Sequence, residues 1–318
     1  MNKLRVAVVG GGGRGRGHMR ELQSFDDVDL VAVCDPVEAS RQRAGEEFGL
    51  ERQYAELDEM LDREELDAAV VATPAHLNAP VALVCLQAGV PTLLEKPPGL
   101  SVAETIQLRD AAAAAVTGVQ GMVGWNRRFH PIIVEARRLV EERGPVLQLL
   151  GQFHKSMSNF VASGVFSETM LDQMLLETPI HAIDTVRALA GGKVVEVHSA
   201  VRRANSSYQD VHAALVVFDN DCVAQLMANY TTDARLERYE IHGCDISAYL
   251  EGVQQGEVVA DGKRWALGEA GTGGTREQAR FFLDCVRDGR PVELPAANLD
   301  EAVATMELVE AIRAGLRD

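Results

Sequence analysis

The sequence predicts an α/β chain in two parts: a doubly wound parallel sheet over residues 1–123, then an α+β part over 124–318 with an open, mainly antiparallel sheet. Three observations predict it. Up to about Val123, short apolar β-branched runs alternate with helix-patterned stretches, the mark of βαβ units. A glycine-rich turn joins the first of these runs to the first helix. Beyond Val123, strand-patterned runs follow one another with only turn residues between them.

In chain order, strands are expected at 4–9, 29–34, 67–72, 91–94 and 118–123, and helices near 15–24, 37–48, 56–62, 77–88 and 101–115. The alanine run 111–115 fits a buried helix face. The stretch VAVVGGGGRGRGHM, from Val6 to Met19, organises this half. Gly10, Gly12 and Gly15 stand in the spacing G-x-G-x-x-G, with Gly13 and Arg14 between the last two. Those glycines serve a tight turn, close approach of backbone to a pyrophosphate, and close packing of helix on strand. The N–H groups at the helix start then face the phosphates, where the helix dipole favours negative charge. The second strand, Leu30 to Cys34, ends in Asp35, twenty positions after Gly15, where an acid is needed for the adenosine ribose hydroxyls. This is a dinucleotide site of the Rossmann kind. Thr73-Pro74, with His76 beyond, and Glu95-Lys96-Pro97 each follow a strand directly, at the carboxyl ends where open α/β sheets bind ligands.

The second part opens with a helix over about 130–142 and a strand over 146–154. A helical stretch from about 168 to 190 ends at Gly191-Gly192. Strands are expected at 193–203, 210–219, 222–231, 236–243, 246–250 and 256–260, with Asp219-Asn220-Asp221 as a hairpin turn. Helices over 275–289 and 298–315 close the chain. In 211–218 both alternating faces are apolar, so a sheet with helices on one side needs a second subunit on the other: a homodimer or homotetramer.

A net charge of −16 argues against a nucleic-acid surface, and no apolar run is long enough to span a bilayer. The N-terminus turns to glycine where a signal peptide would stay apolar, so it is read as mature protein. Five scattered cysteines without a C-x-x-C pair suit reduced thiols in the cytoplasm. No His, Cys or carboxylate cluster has metal-ligand spacing, and the partner expected is a small molecule.

The glycine turn, Asp35, T-P-x-H at Thr73 to His76, E-K-P at Glu95 to Pro97 and N-R-R-F-H-P from Asn126 occur in the order found in the glucose-fructose oxidoreductase / inositol dehydrogenase (Gfo/Idh/MocA) family, which the whole chain resembles. The resemblance implies a Rossmann domain with a substrate and oligomerisation domain behind it. It also implies a nicotinamide-dependent oxidoreductase of sugars, cyclitols and related polyols. Thr73, Pro74, His76, Glu95 and Lys96 then line the cofactor, and Asn126 and Arg127 enter the substrate site.

Lys96 matches the family's lysine, and an ammonium there holds the substrate oxygen and stabilises charge developing on it. Glu177, His181 and Asp184 share one face if the helix is continuous; the family carries an acid four residues before a histidine there, often with Asp three later. Two departures stand out. The acid is Glu where the family usually has Asp, and Pro179 predicts either a kink near Leu175 or a helix restart capped by Thr178. His154 and Lys155, at the end of strand 146–154, are further substrate-side candidates, while His18, His198, His212 and His242 are read as structural. Asp35 favours NAD, although Arg41 and Arg43 close behind it leave NADP possible. Three functions stay open: a polyol dehydrogenase, a glycosidase using tightly held NAD, and a cofactor-binding regulator without turnover.

Overall fold

A computed structural model describes residues 2–115, 119–268 and 273–317. The chain divides into two compact units, Met1–Trp125 with Thr275–Val303, and Asn126–Gly274 with Ala304–Asp318.

The first unit runs β1 (Leu4–Val9), α1 (Gly13–Gln23), β2 (Val28–Cys34), α2 (Glu38–Phe48), β3 (Gln53–Tyr54), α3 (Leu57–Arg63), β4 (Ala68–Val71), α4 (Ala75–Gln87), β5 (Thr92–Leu94), α5 (Val102–Ala114) and β6 (Gly121–Val123). The expected strand 118–123 is present from Gly121, and Gly118 lies outside the described residues. β6, β5, β4, β1, β2 and β3 lie side by side in that order and pair in parallel. Val6, Ala7, Val8, Ala68, Ala69 and Val71 are fully buried, as strands covered on both faces require. Of the alanine run only Ala112 is buried; the helix presents Ala113 and Ala114 to solvent.

The second unit starts after β6. It contains α6 (Pro131–Glu141), β7 (Gln148–Ser156), α7 (Met157–Ser163), α8 (Glu168–Leu171), α9 (Ile180–Ala190), β8 (Val194–Arg202), β9 (Val211–Phe218), β10 (Val223–Asn229), β11 (Thr231–Gly243), β12 (Ile246–Glu251), β13 (Gln255–Ala260) and β14 (Lys263–Ala266). Its sheet order is β14-β13-β12-β11-β7-β10-β9-β8, antiparallel except between β7 and β10. The Asp219-Asn220-Asp221 turn does join β9 to β10, with Asp221 at φ +66°. α9 packs on β7 where Gly151 leaves no room: a Cβ there would lie 2.7 Å from Val186.

The last segment departs from a boundary at 123. α10 (Thr275–Asp288) and β15 (Ala297–Asn298) belong to the first unit, and α11 (Leu299–Arg313) follows. Ala297 and Asn298 pair antiparallel with Val123 and Met122, adding a seventh strand. Arg280 and Arg287 of α10 both grip Asp27, and Arg276 and Arg280 stack on Phe25. A two-residue strand and an ion pair far away in sequence leave no local pattern to read.

The helical stretch 168–190 is broken. α8 ends at Leu171, a 3-10 turn covers Met174–Leu176, and α9 begins at Ile180 behind Pro179. Proline has no N–H to give to the preceding turn, and its fixed φ suits the first helical position. The restart is therefore the outcome, with Pro179 and not Thr178 in the capping position; the Thr178 carbonyl accepts from His181 N at 3.0 Å, and no side chain caps this end.

Candidate active site

In the first unit, β1 delivers the chain to Gly10, which has φ +107° and whose Cβ would sit 2.4 Å from the Ala72 carbonyl oxygen. A Cβ on Gly15 would lie 1.8 Å from the Gly10 oxygen, so the helix closes on the turn only with glycine there. Gly12 and Gly13 differ: a Cβ on either meets nothing within 4 Å. Gly12 caps α1 without any side-chain hydrogen bond, so the first-turn N–H groups are left for a ligand. Asp35 accepts from Gly11 N (2.7 Å) on one oxygen and from Val37 N (2.8 Å) on the other. Each oxygen keeps a lone pair for a ribose hydroxyl. Arg41 turns its guanidinium onto the Asp35 carbonyl at 2.7 Å. An open glycine cradle, an uncapped helix start and a fixed carboxylate fit a dinucleotide.

The Glu95-Lys96-Pro97 turn is held from three sides. Asn78 donates to the carbonyls of Glu95 (3.1 Å) and Pro97 (3.0 Å), and Thr73 donates to the Asn78 amide oxygen at 2.9 Å. Asn78 was not singled out in the sequence; its signal is an amide in the apolar stretch Ala75 to Val84. The Lys96–Pro97 bond is cis. The Glu95 carboxylate is buried and receives Arg14 Nε at 2.5 Å and His18 Nε2 at 2.8 Å on one oxygen. Burial alone would raise its pKa, but the His18 hydrogen bond and the charges of Arg14, His18 and Lys96 outweigh it and bring it to about 2. Lys96 itself is half-buried, and His76 is exposed on the first turn of α4.

In the second unit, His181 lies in the first turn of α9, 6% exposed. Glu177 precedes the Pro179 restart, so it follows the 3-10 turn and does not share a helix face with His181. Its carboxylate lies 3.4 Å from Lys155 Nζ, which also sits over the Phe160 ring. Asp184, expected at the substrate, has no solvent exposure. Arg128 holds both its oxygens, Nε at 2.8 Å and Nη2 at 2.7 Å, and Thr305 donates to one of them at 2.9 Å. It ties α9 to the Asn126–Phe129 turn and to α11. Arg127 is likewise committed, gripping Glu237 of β11 with two bonds of 2.8 and 2.9 Å. Burial works against that pair, yet mutual contact raises the arginine's pKa and lowers the glutamate's, so both stay charged. The Asn126 amide donates to the Gly273 carbonyl at 2.8 Å.

His154 and Lys155 lie on opposite faces of β7. Leu149, Gly151 and Phe153 point to α9, and alternation along β7 puts His154 on the opposite face and Lys155 on the α9 face. Among the described residues no group of three or more His, Cys, Asp or Glu is arranged to hold a metal.

A dinucleotide cradle whose unit also carries the Glu95-Lys96-Pro97 turn, in a chain that adds a histidine-bearing α+β unit, is the make-up of a two-domain nicotinamide-dependent oxidoreductase. Comparison with known proteins agrees. Residues 4–124 match the family described as "Oxidoreductase family, NAD-binding Rossmann fold", and residues 133–248 match the GFO/IDH/MocA C-terminal domain. The chain belongs to the Gfo/Idh/MocA family of NAD-binding oxidoreductases. It is 25% identical to D-apiose dehydrogenase of Paraburkholderia graminis over 100% of this chain and 89% of that one. It is 30% identical to inositol 2-dehydrogenase 4 of Saccharopolyspora erythraea, over 64% of this chain but only 59% of that one. The crystal structure of GenD2 from gentamicin A biosynthesis, in complex with NAD, superposes with a TM-score of 0.80 at 27% identity, covering 99% of this chain and 94% of that one.

Proposed function

We propose that this protein oxidises a secondary alcohol of a sugar, cyclitol or related polyol with NAD, and reduces the ketone in reverse. The observation that carries the reading is the Glu95-Lys96-Pro97 turn, fixed by Asn78 and by the buried Glu95 carboxylate within the dinucleotide unit. The dehydrogenases among the relatives support the substrate class. The glycine cradle and Asp35 would hold NAD, which would supply the acceptor for the hydride leaving the substrate carbon. Lys96 binds the reacting oxygen and stabilises its developing negative charge. His181 receives the proton, since an imidazole titrates near neutrality without perturbation. Glu177, paired with Lys155, orients the histidine or a neighbouring hydroxyl. The first two roles are exchangeable, because a desolvated lysine also serves as a base.

A panel of polyols, sugars and sugar acids, followed by absorbance of reduced cofactor, tests this. NAD should be preferred to NADP, because the Asp35 carboxylate repels a 2′-phosphate, and Asp35→Ala should narrow the gap. Equal or faster turnover with NADP would remove that assignment.

We further propose that a second copy covers the open sheet face, giving a homodimer or homotetramer, and that the protein works in the cytoplasm. α9 covers the face bearing Val186's contact, while Leu215 and Met227 on the opposite face are 39% and 42% exposed. No helix among the described residues is long and apolar enough to cross a membrane, and all five cysteines are free. Light scattering at micromolar concentration should give at least twice the chain mass; a monomer would contradict the covered face.

A further inference from the structure

The glycine-loop helix and the lysine turn share one buried carboxylate. Arg14 and His18 stand four residues apart on α1, on one helix face, and both reach the same oxygen of Glu95. The other oxygen accepts the Lys96 backbone N–H at 3.3 Å. His18 is 1% exposed and Glu95 5%, whereas the Arg14 side chain is 47% exposed. Nδ1 of His18 finds no hydrogen-bond partner among the described residues, and the ring is spent on Glu95. A buried imidazole that met only apolar neighbours would be ordinary core. One aimed at the carboxylate next to Lys96 has a different consequence.

We propose that His18 and Glu95 are positioning residues for Lys96, forming a relay from the dinucleotide-binding helix to the lysine turn. His18 anchors the carboxylate that Arg14 partly neutralises. That carboxylate fixes the Lys96 backbone and sets the charge beside its ammonium. A shift of about 1 Å in a reacting group costs roughly 10²-fold in rate. Loosening the relay therefore harms turnover more than cofactor binding, which depends on the glycine cradle and Asp35. The proposal rests on the assignment of Lys96 to the reacting oxygen, but it has a readout that needs no substrate.

Three variants test it: His18→Leu, which keeps bulk without a donor; His18→Gln, whose amide nitrogen reaches where Nε2 stood; and Glu95→Gln, which keeps the shape without the charge. Each is compared with the native chain for melting temperature, NAD affinity by calorimetry, turnover on whichever polyol the native chain oxidises, and the rate at which a small acylating reagent labels Lys96, read by peptide mass spectrometry. His18→Leu and Glu95→Gln should speed Lys96 labelling severalfold and cut kcat roughly tenfold to a hundredfold. NAD affinity of His18→Leu should stay within about threefold, and His18→Gln should restore most of both. If His18→Leu and Glu95→Gln fold with native melting temperatures yet label Lys96 and turn over as the native chain does, the relay is refuted. It is equally refuted if His18→Leu loses NAD affinity while its kcat at saturating NAD is unchanged. If no polyol is oxidised by the native chain, the dehydrogenase reading fails, while labelling and NAD affinity still decide the relay.

Discussion

Lys96→Met should abolish nearly all turnover, by roughly 10²–10⁴-fold, the range of one acid–base or charge-stabilising group, while NAD still binds. Methionine keeps the apolar stem and removes the ammonium alone. The cradle for the dinucleotide is made by Gly10, Gly12, Gly13, Gly15 and Asp35, none of which depends on the Lys96 amine. His181→Ala should behave similarly, because its ring lies in the first turn of α9 and outside the dinucleotide unit. Steady-state kinetics on an identified polyol, with NAD affinity measured alongside, check both. Near-native turnover in both variants would move the chemistry elsewhere.

The second large effect is on stability. Asp184→Asn leaves Arg128, whose side chain is 1% exposed, buried opposite a neutral amide. Removing one partner of a buried ion pair costs ~3–5 kcal/mol. For a unit of this size that lowers Tm by roughly 10 °C. The loss is larger than for an isolated pair because the Asp184 oxygen also accepts from Thr305, which in turn accepts from Arg187 Nε at 2.9 Å. The double variant Arg128→Met, Asp184→Leu should recover part of the loss, because it buries no uncompensated charge. Thermal unfolding by circular dichroism gives the answer; an unchanged Tm for Asp184→Asn would mean that the pair does not hold α9.

The dinucleotide half was legible because its requirements are local. A turn that admits only glycine at Gly10 and Gly15, and an acid closing the second strand, are read from a stretch of the chain and its strand pattern. The substrate half was less so. The residue types were found, but Asp184 and Arg127 turn out to serve Arg128 and Glu237, since a charge in the sequence does not say which way it faces. His154 and Lys155 were separable only by the parity of β7. α10 and β15 return to the first unit through Asp27 and Met122, contacts spanning most of the chain that no periodicity carries. His18, read as structural, is buried and bonds a carboxylate 77 positions away, a partner that no local pattern names.

The central claim is that this chain moves a hydride between a polyol and NAD that comes and goes. The direct measurement is the stoichiometry of reduced NAD against oxidised product, with the native chain at catalytic concentration and a polyol that supports turnover. The account predicts one NADH and one ketone for each alcohol consumed, over many turnovers and with free NAD exhausted at the end. Substrate consumption with no net NADH, or glycosidic cleavage with NAD retained on the protein, would contradict it.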